Sequence, residues 1–447
     1  MSPSDIRADW VGKQSALTTI SDRFFKPKIA VVLNSRCHPM KPSPENGEIM
    51  KRAKIVIAAV LSLLALTLPA SVAARPSHHS LPQSSVFATG LNNPRGLTFG
   101  PDGFLYVAEG GTGGDTSSVG KCTQVVAPVG PYSGGLTARI SKISSDGVRS
   151  TVADRLPSDQ LSAAFGGLVS GVADVKFMDG TLYGLESAGG CSHGLADTSN
   201  TLFRVNSDGT TTTIADLSAF LKANPVAHPD VDDFEPDGTW YGMVAAHGAF
   251  YATEPNTQQI DRITLDGKVT RVVDLSTMFV PPAGWKGATG IASHGSLYFG
   301  QLGTFPVVPG TESVYKLTPD GSVKVVASGL TAVLGVAFDS HGRLYVLEDD
   351  TVAGFPGPAA AGKGDVVRVN HDGSKTTIAT GLTFPTGMTF GPDGRLYVSN
   401  NGYAFPPGKG EIVVINTCGS DCNSQNDNSD TGSSGSDLST SEAKNEN

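Results

Sequence analysis

Charge is scarce in this chain: Asp, Glu, Lys and Arg make up 17% of its 447 residues, and aromatic residues only 7%. Basic residues are not in excess, the formal charge being −9. That argues against nucleic acid as a partner, because phosphate binding needs basic patches. Outside one N-terminal segment no long stretch keeps a 3.6-residue apolar period, which speaks against a helical fold. Turn residues are abundant instead, with 54 Gly and 28 Pro, as many short strands joined by tight turns require.

One phrase returns six times: an apolar strand, a tight turn, Leu-Tyr-Val or a variant of it, then a carboxylate or carboxamide. The copies centre on Tyr106, Tyr183, Tyr251, Tyr298, Tyr345 and Tyr397. Each of the first five continues as strand, Asp-Gly, strand. The spacing is 47 residues from Tyr251 to Tyr298 and again to Tyr345, close to one propeller blade, while the earlier spacings of 77 and 68 mark insertions. The expected fold is all-β, a six-bladed β-propeller of four-stranded blades over residues 84–418. The last copy lacks a fourth strand at its C-terminal end, yet Val86-Phe87-Ala88-Thr89-Gly90-Leu91 repeats Thr377-Ile378-Ala379-Thr380-Gly381-Leu382. The N-terminal segment is therefore predicted to complete the last blade and close the ring.

Lys51, Arg52 and Lys54 precede an apolar run from Ile55 to Leu68, then Pro69 and the small residues Ala70 to Ala74. This pattern predicts a secretory signal peptide over 50–74, with residues 1–49 outside the native translated chain, a linker over 75–83 and no membrane anchor after cleavage. Removing ten basic and five acidic residues with the leader takes the formal charge from −9 to −14. Export leaves Cys122, Cys191, Cys418 and Cys422, an even number in an oxidising compartment. Cys122 and Cys191 fall in the same kind of loop of adjacent blades, and Cys418 and Cys422 stand close at the end of the last strand. Those two pairings are expected as disulfides. Residues 419–447 are rich in Ser, Asn, Asp and Gly and too poor in apolar residues to order themselves.

The turns between first and second and between third and fourth strands are nearly all Asp-Gly or His-Gly, so one face of the disc is plain. The other carries the long loops, where binding sites are usually built. On that side the second strands end in Glu109, Glu186, Glu254, Gln301, Glu348 and Asn400. Pseudo-symmetry would set them in a ring around the channel, offering oxygen ligands to a hard cation such as Ca²⁺. Capping of the loops through backbone N–H groups is the competing reading. Arg95, Tyr241 and Thr386, just before the innermost strands, are expected at the channel mouth as ligand contacts. His193 and His228 lie in long loops of the same face. The acidic connection around His228, Asp230, Asp232, Asp233, Glu235 and Asp237 reads as a solvated loop. No nucleophile is placed beside either histidine.

The segments Val86–Leu97 and Gly100–Glu109, the Cys122 loop and Tyr251-Ala252-Thr253-Glu254-Pro255-Asn256 resemble the secreted ScyD/ScyE-like propellers. The resemblance covers Val86 to Cys418 and departs from the family at Glu235–Tyr241, where a Ser-Asn-Pro-Tyr-like phrase is usual. It implies fold and export rather than an activity. The sequence thus predicts a monomeric extracellular propeller that binds a small molecule, glycan or protein on its long-loop face, with Ca²⁺ at the channel mouth. The alternative is a metal-dependent hydrolase resembling the lactonase and gluconolactonase propellers.

Overall fold

A computed structural model describes residues 84–162, 168–231, 234–279, 287–354 and 360–417. The expected leader, linker, Cys418, Cys422 and tail lie outside the described residues.

Six antiparallel sheets follow one another along the chain. β1 (Ser84–Leu91) comes first and belongs to the last of them. Blade I holds β2 (Pro94–Phe99), β3 (Leu105–Glu109), β4 (Ser133–Ile143), β5 (Arg149–Gln160) and the short β6 (Val169–Ser170). Blade II holds β7 (Val172–Met178), β8 (Thr181–Glu186), β9 (Thr201–Val205) and β10 (Thr211–Asp216). Blade III holds β11 (Met243–Ala246), β12 (Ala249–Glu254), β13 (Gln259–Ile263) and β14 (Val269–Asp274). Blade IV holds β15 (Ala288–Ser293), β16 (Leu297–Gln301), β17 (Glu312–Leu317) and β18 (Val323–Leu330). Blade V holds β19 (Val333–Phe338), β20 (Leu344–Glu348), β21 (Gly364–Val369) and β22 (Lys375–Leu382). Blade VI holds β23 (Gly387–Phe390), β24 (Leu396–Asn400) and β25 (Gly410–Ile415), completed by β1.

The repeated tyrosine has a packing role. Tyr106 stacks edge-on against Phe177 of the next blade, Tyr298 against Phe338, Tyr345 against Phe390 and Tyr397 against Phe99, with centroids 4.8–5.0 Å apart. Tyr183 packs on Phe250 of β12 with the rings tilted and centroids 5.0 Å apart. Such pairs add about 0.5–1.5 kcal/mol each beyond their buried area. They sit in six apolar clusters, one between each pair of successive blades. Near the axis the blades approach so closely that a Cβ on Gly290 would lie 2.7 Å from the Cα of Gly335. Side chains also stitch neighbouring blades, Thr253 Oγ1 donating to the Thr289 carbonyl (2.6 Å) and Ser399 Oγ to that of Arg95 (2.6 Å).

β1 pairs with β25 from Ser84 opposite Ile415 to Leu91 opposite Gly410, the predicted closure. Its Ala88 and Leu91 join the cluster between blades VI and I. The outer strands share a bulge in the phrase Ala-x-Gly-Leu, where Gly90, Gly329 and Gly381 have φ of 84°, 69° and 83°. β5 has the same register shift, but Arg155 takes the glycine's place with φ 57° and an exposed side chain. A non-glycine residue held there costs about 1–2 kcal/mol, partly offset by the greater unfolded freedom of glycine. Arg155→Gly is expected to stabilise the protein by about 0.5–1 kcal/mol, read as a higher urea midpoint at unchanged slope.

Among the described residues, two of the connections between blades carry helical turns that periodicity did not reveal. Asp216 caps α1 (Leu217–Ala223) by accepting from the Ala219 N–H (2.8 Å), and Asp274 caps a turn at Leu275–Thr277. Both lie on the long-loop face.

Candidate functional site

The six strand-end residues, predicted as a ring around the channel, close the second strands of their blades, one strand out from the innermost. None of them lines the axial cavity, which is walled by the innermost strands. In four blades the side chain accepts the backbone N–H that leads into the innermost strand: Asn92 to Glu109 (2.6 Å), Thr239 to Glu254 (2.8 Å), Thr331 to Glu348 (2.5 Å) and Thr383 to Asn400 (2.7 Å). Glu186 accepts instead from Ser187 and Ala188 (3.0 and 3.1 Å). Gln301 is buried with both amide atoms unpartnered. A buried N–H without an acceptor is costly, so these residues brace the long loops.

The alternation of acid and amide follows from the facing strand. Glu109 is held by Arg139 in a bidentate pair, with both N···O distances 2.7 Å. Asn400 donates to Glu411 (2.8 Å), where a carboxylate would repel. In blade V Glu348 lies opposite Asp365: burial, with Glu348 beside it, pushes Asp365 up to about 8, while burial pushes Glu348 upward against the lowering effect of its contact with Asp365. Glu348→Gln would reproduce the Asn400–Glu411 arrangement. We expect it to raise stability at pH 8 by about 1–2 kcal/mol in denaturant melts, with little gain near pH 5, where Asp365 already holds its proton.

These commitments leave Glu109, Glu254 and Asn400 without a free face for an ion. Among the described residues no three His, Cys, Asp or Glu side chains are grouped to hold a metal. Glu186 Oε2 and both amide atoms of Gln301 stay buried without a protein partner.

At the axis, Tyr241 and Thr386 meet each other. The Tyr241 hydroxyl crosses from blade III to donate to the Thr386 carbonyl of blade VI (2.7 Å), and both residues line an axial cavity of about 290 Å³. Arg95 lies inside β2 rather than before it and donates to the Val169 carbonyl, outside the cavity lining. Five innermost strands carry glycine where blade II has Asp174, whose Oδ1 pairs with Lys176 Nζ (2.5 Å) and whose Oδ2 accepts from Met243 N–H (2.9 Å). Asp349, bonded by the Tyr403 hydroxyl, is pushed up to about 8 by burial, and one of its oxygens is unpartnered. The sequence reading missed these residues, although Asp174 interrupting a register of glycines was a visible signal.

A larger cleft, about 470 Å³, opens between the long loops of blades I to III. Cys122 and Cys191 join there in the predicted disulfide, Cα atoms 6.3 Å apart. Leu221 and Lys222 of α1, Val226, Phe234, Asp237 and Thr257 contribute from the other side. His193 stands behind this wall, fully buried. One ring nitrogen meets Asp159 and the other the Gly238 carbonyl (3.0 Å), two acceptors that call for an imidazolium. Burial alone would lower its pKa, but Asp159, with Glu235 and Asp237 beyond, raises it to about 9. His193 is thus a brace for the loops and not the predicted ligand contact. His228 is exposed, its backbone N–H donating to Ser276 Oγ (3.1 Å).

The connection read as solvated is only partly so. Glu235 and Asp237 are buried, Tyr132 donating to Glu235 (2.6 Å) and Ser192 and Lys222 to Asp237; Asp232 and Asp233 lie outside the described residues. The string Gly190-Cys191-Ser192-His193-Gly194 has the spacing of a nucleophile elbow, which the sequence reading passed over. Here it forms a buried 3-10 turn in which the Ser192 hydroxyl donates to Asp237 (2.6 Å) and His193 is already engaged by Asp159 and Gly238. No serine–histidine pair results.

The chain matches no family model and no curated protein. Solved structures similar to it include a protein of unknown function from Bacteroides thetaiotaomicron VPI-5482 (14% identity, TM-score 0.46, 74% of this chain and 75% of that one). Others are a gluconolactonase from Xanthomonas campestris (13%, 0.44, 78% and 94%) and virginiamycin B lyase from Staphylococcus aureus (14%, 0.40, 75% and 99%). At such identities the likeness extends to the fold alone.

Proposed function

We propose that this protein is an exported binding propeller of the ScyD/ScyE type, holding a small organic ligand in the cleft between the long loops of its first three blades. The observation that carries this reading is the cleft, a concavity of about 470 Å³ walled by segments from three blades. Among the described residues the opposite face carries tight turns. The disulfide beside it supports export, since such bonds persist in oxidising compartments. Bracing by Glu109 and Glu254 supports a site formed before the ligand arrives, which lowers the ordering cost of binding. The sequence motifs quoted above support the family. Ligands should be found by thermal-shift screening of small molecules against the mature protein, and Val226→Phe, which fills the cleft, should abolish their effect. Hits that stabilise both proteins equally would place binding elsewhere and overturn the reading.

A further inference from the structure

We infer that the cleft takes an uncharged, mainly apolar organic molecule, and that it is complete only once Cys122 and Cys191 are joined; this rests on the cleft being the binding site. Leu221 and Val226 are buried in its lining, while Pro225, Pro229 and Phe234 are exposed around it, Phe234 at 38%. Pro225, Pro229 and Pro236 have no backbone N–H to offer, so much of the wall cannot donate a hydrogen bond. Among the described residues the ionic groups in the lining are Lys222 and Asp237, and they pair with each other. Asp237 is further satisfied by the N–H and hydroxyl of Ser192 (2.7 and 2.6 Å). Because Lys222 and Asp237 leave no uncompensated counter-charge, an ionic ligand of either sign would have to shed its hydration and compete with the existing pair. Apolar contact with a neutral molecule escapes both penalties.

The disulfide supplies the remaining wall. Around Cys122 the loop of blade I is mostly exposed and is tied to the turn at Cys191 by the S–S bond and the bond from Ser118 Oγ to the Cys191 carbonyl, with Tyr132 farther along the loop packing on His193, ring centroids 5.5 Å apart. Closure joins two thiols, whose two electrons and two protons pass to an incoming disulfide that leaves as a dithiol. Ligand capture is thereby confined to a compartment where such oxidants are available.

The test is a fluorescence titration of the mature protein with N-phenyl-1-naphthylamine, neutral and apolar, in parallel with the anionic 1-anilinonaphthalene-8-sulfonate. The neutral probe should saturate one site, and bind about fivefold more weakly to Phe234→Ala, which loses an exposed aromatic contact. Cys122→Ser combined with Cys191→Ser should weaken it about tenfold or more while circular dichroism still reports a folded protein. Should that double variant not fold, reduced protein held folded by trimethylamine N-oxide gives the same comparison. Anionic probe bound as tightly as the neutral one would overturn the ligand class but leave the cleft as the site. Unchanged affinity without the disulfide would overturn its role. Absence of saturable binding by either probe, with thermal-shift hits insensitive to Val226→Phe, would sink the cleft reading itself.

Discussion

A chain lacking residues 84–91 should show no cooperative thermal transition. β1 supplies the outer strand of blade VI, and its loss exposes the whole edge of β25 together with the apolar surface under Ala88 and Leu91. Phe87, stacked on Tyr397 at 5.2 Å, goes with it. Burial of a large apolar side chain contributes about 1.5–3 kcal/mol, so Phe87, Leu91 and the lost ladder together approach the total stability of about 5–15 kcal/mol that a domain possesses. The glycine of the neighbouring turn reports the same fit: a Cβ on Gly147 would lie 2.4 Å from the Phe87 carbonyl, just as one on Gly209 would lie 2.8 Å from that of Val152 in the outer strand of blade I. β1 thus occupies a true fourth-strand position. The milder Leu91→Ala should cost about 2–5 kcal/mol. Circular dichroism melts of both variants decide the matter, and a truncated chain that melts at the full-length temperature would show that the ring closes by other means.

Replacing His193 by Ala should destabilise the fold by about 3–5 kcal/mol, because it leaves Asp159 buried without its cation. The pH profile separates this from simple loss of packing. A folded pKa of about 9 against an ordinary value near 6.5 means that the stabilisation by His193 is complete below about pH 6.5 and is lost as pH rises towards 9. Buried Glu186 and Asp349, pushed up to about 8, act in the same direction: the unfolded chain releases their protons from about pH 4 upward, while the folded one keeps them until about pH 8. Thermal stability should therefore be greatest near pH 5 and fall steadily towards pH 9. In His193→Ala the slope between pH 6.5 and 9 should be shallower. A parallel profile in the variant would mean that His193 is neutral in the folded protein.

The fold was legible because its signals are local and repeated. Tyr106 and its five counterparts mark a packing position that every blade must fill, and the phrase ending at Leu91 carries the same bulge as those ending at Leu330 and Leu382. The disulfide could be paired because equivalent loops of adjacent blades are neighbours. The site was legible only in part. A carboxylate at the end of a strand announces its position but not its partner, and backbone N–H groups of Asn92, Thr239 and Thr331 claim those oxygens first. His193 looked like a loop residue because Asp159 and Gly238, which enclose it, stand far away in sequence and outside any period. Lys222 lies on a helix of seven residues, too short to announce itself by its pattern.

Ser84 pairs with Ile415, so the strand made first waits for the strand made last. Until β25 exists, Ala88 and Leu91 lack the partner strand that completes their burial, and the clasp cannot be fastened while the polypeptide is still being synthesised. Contacts of such long range are slow to form. A chain wired in this way remains an open string of blades, still threadable through a narrow passage, up to the moment its final strand arrives.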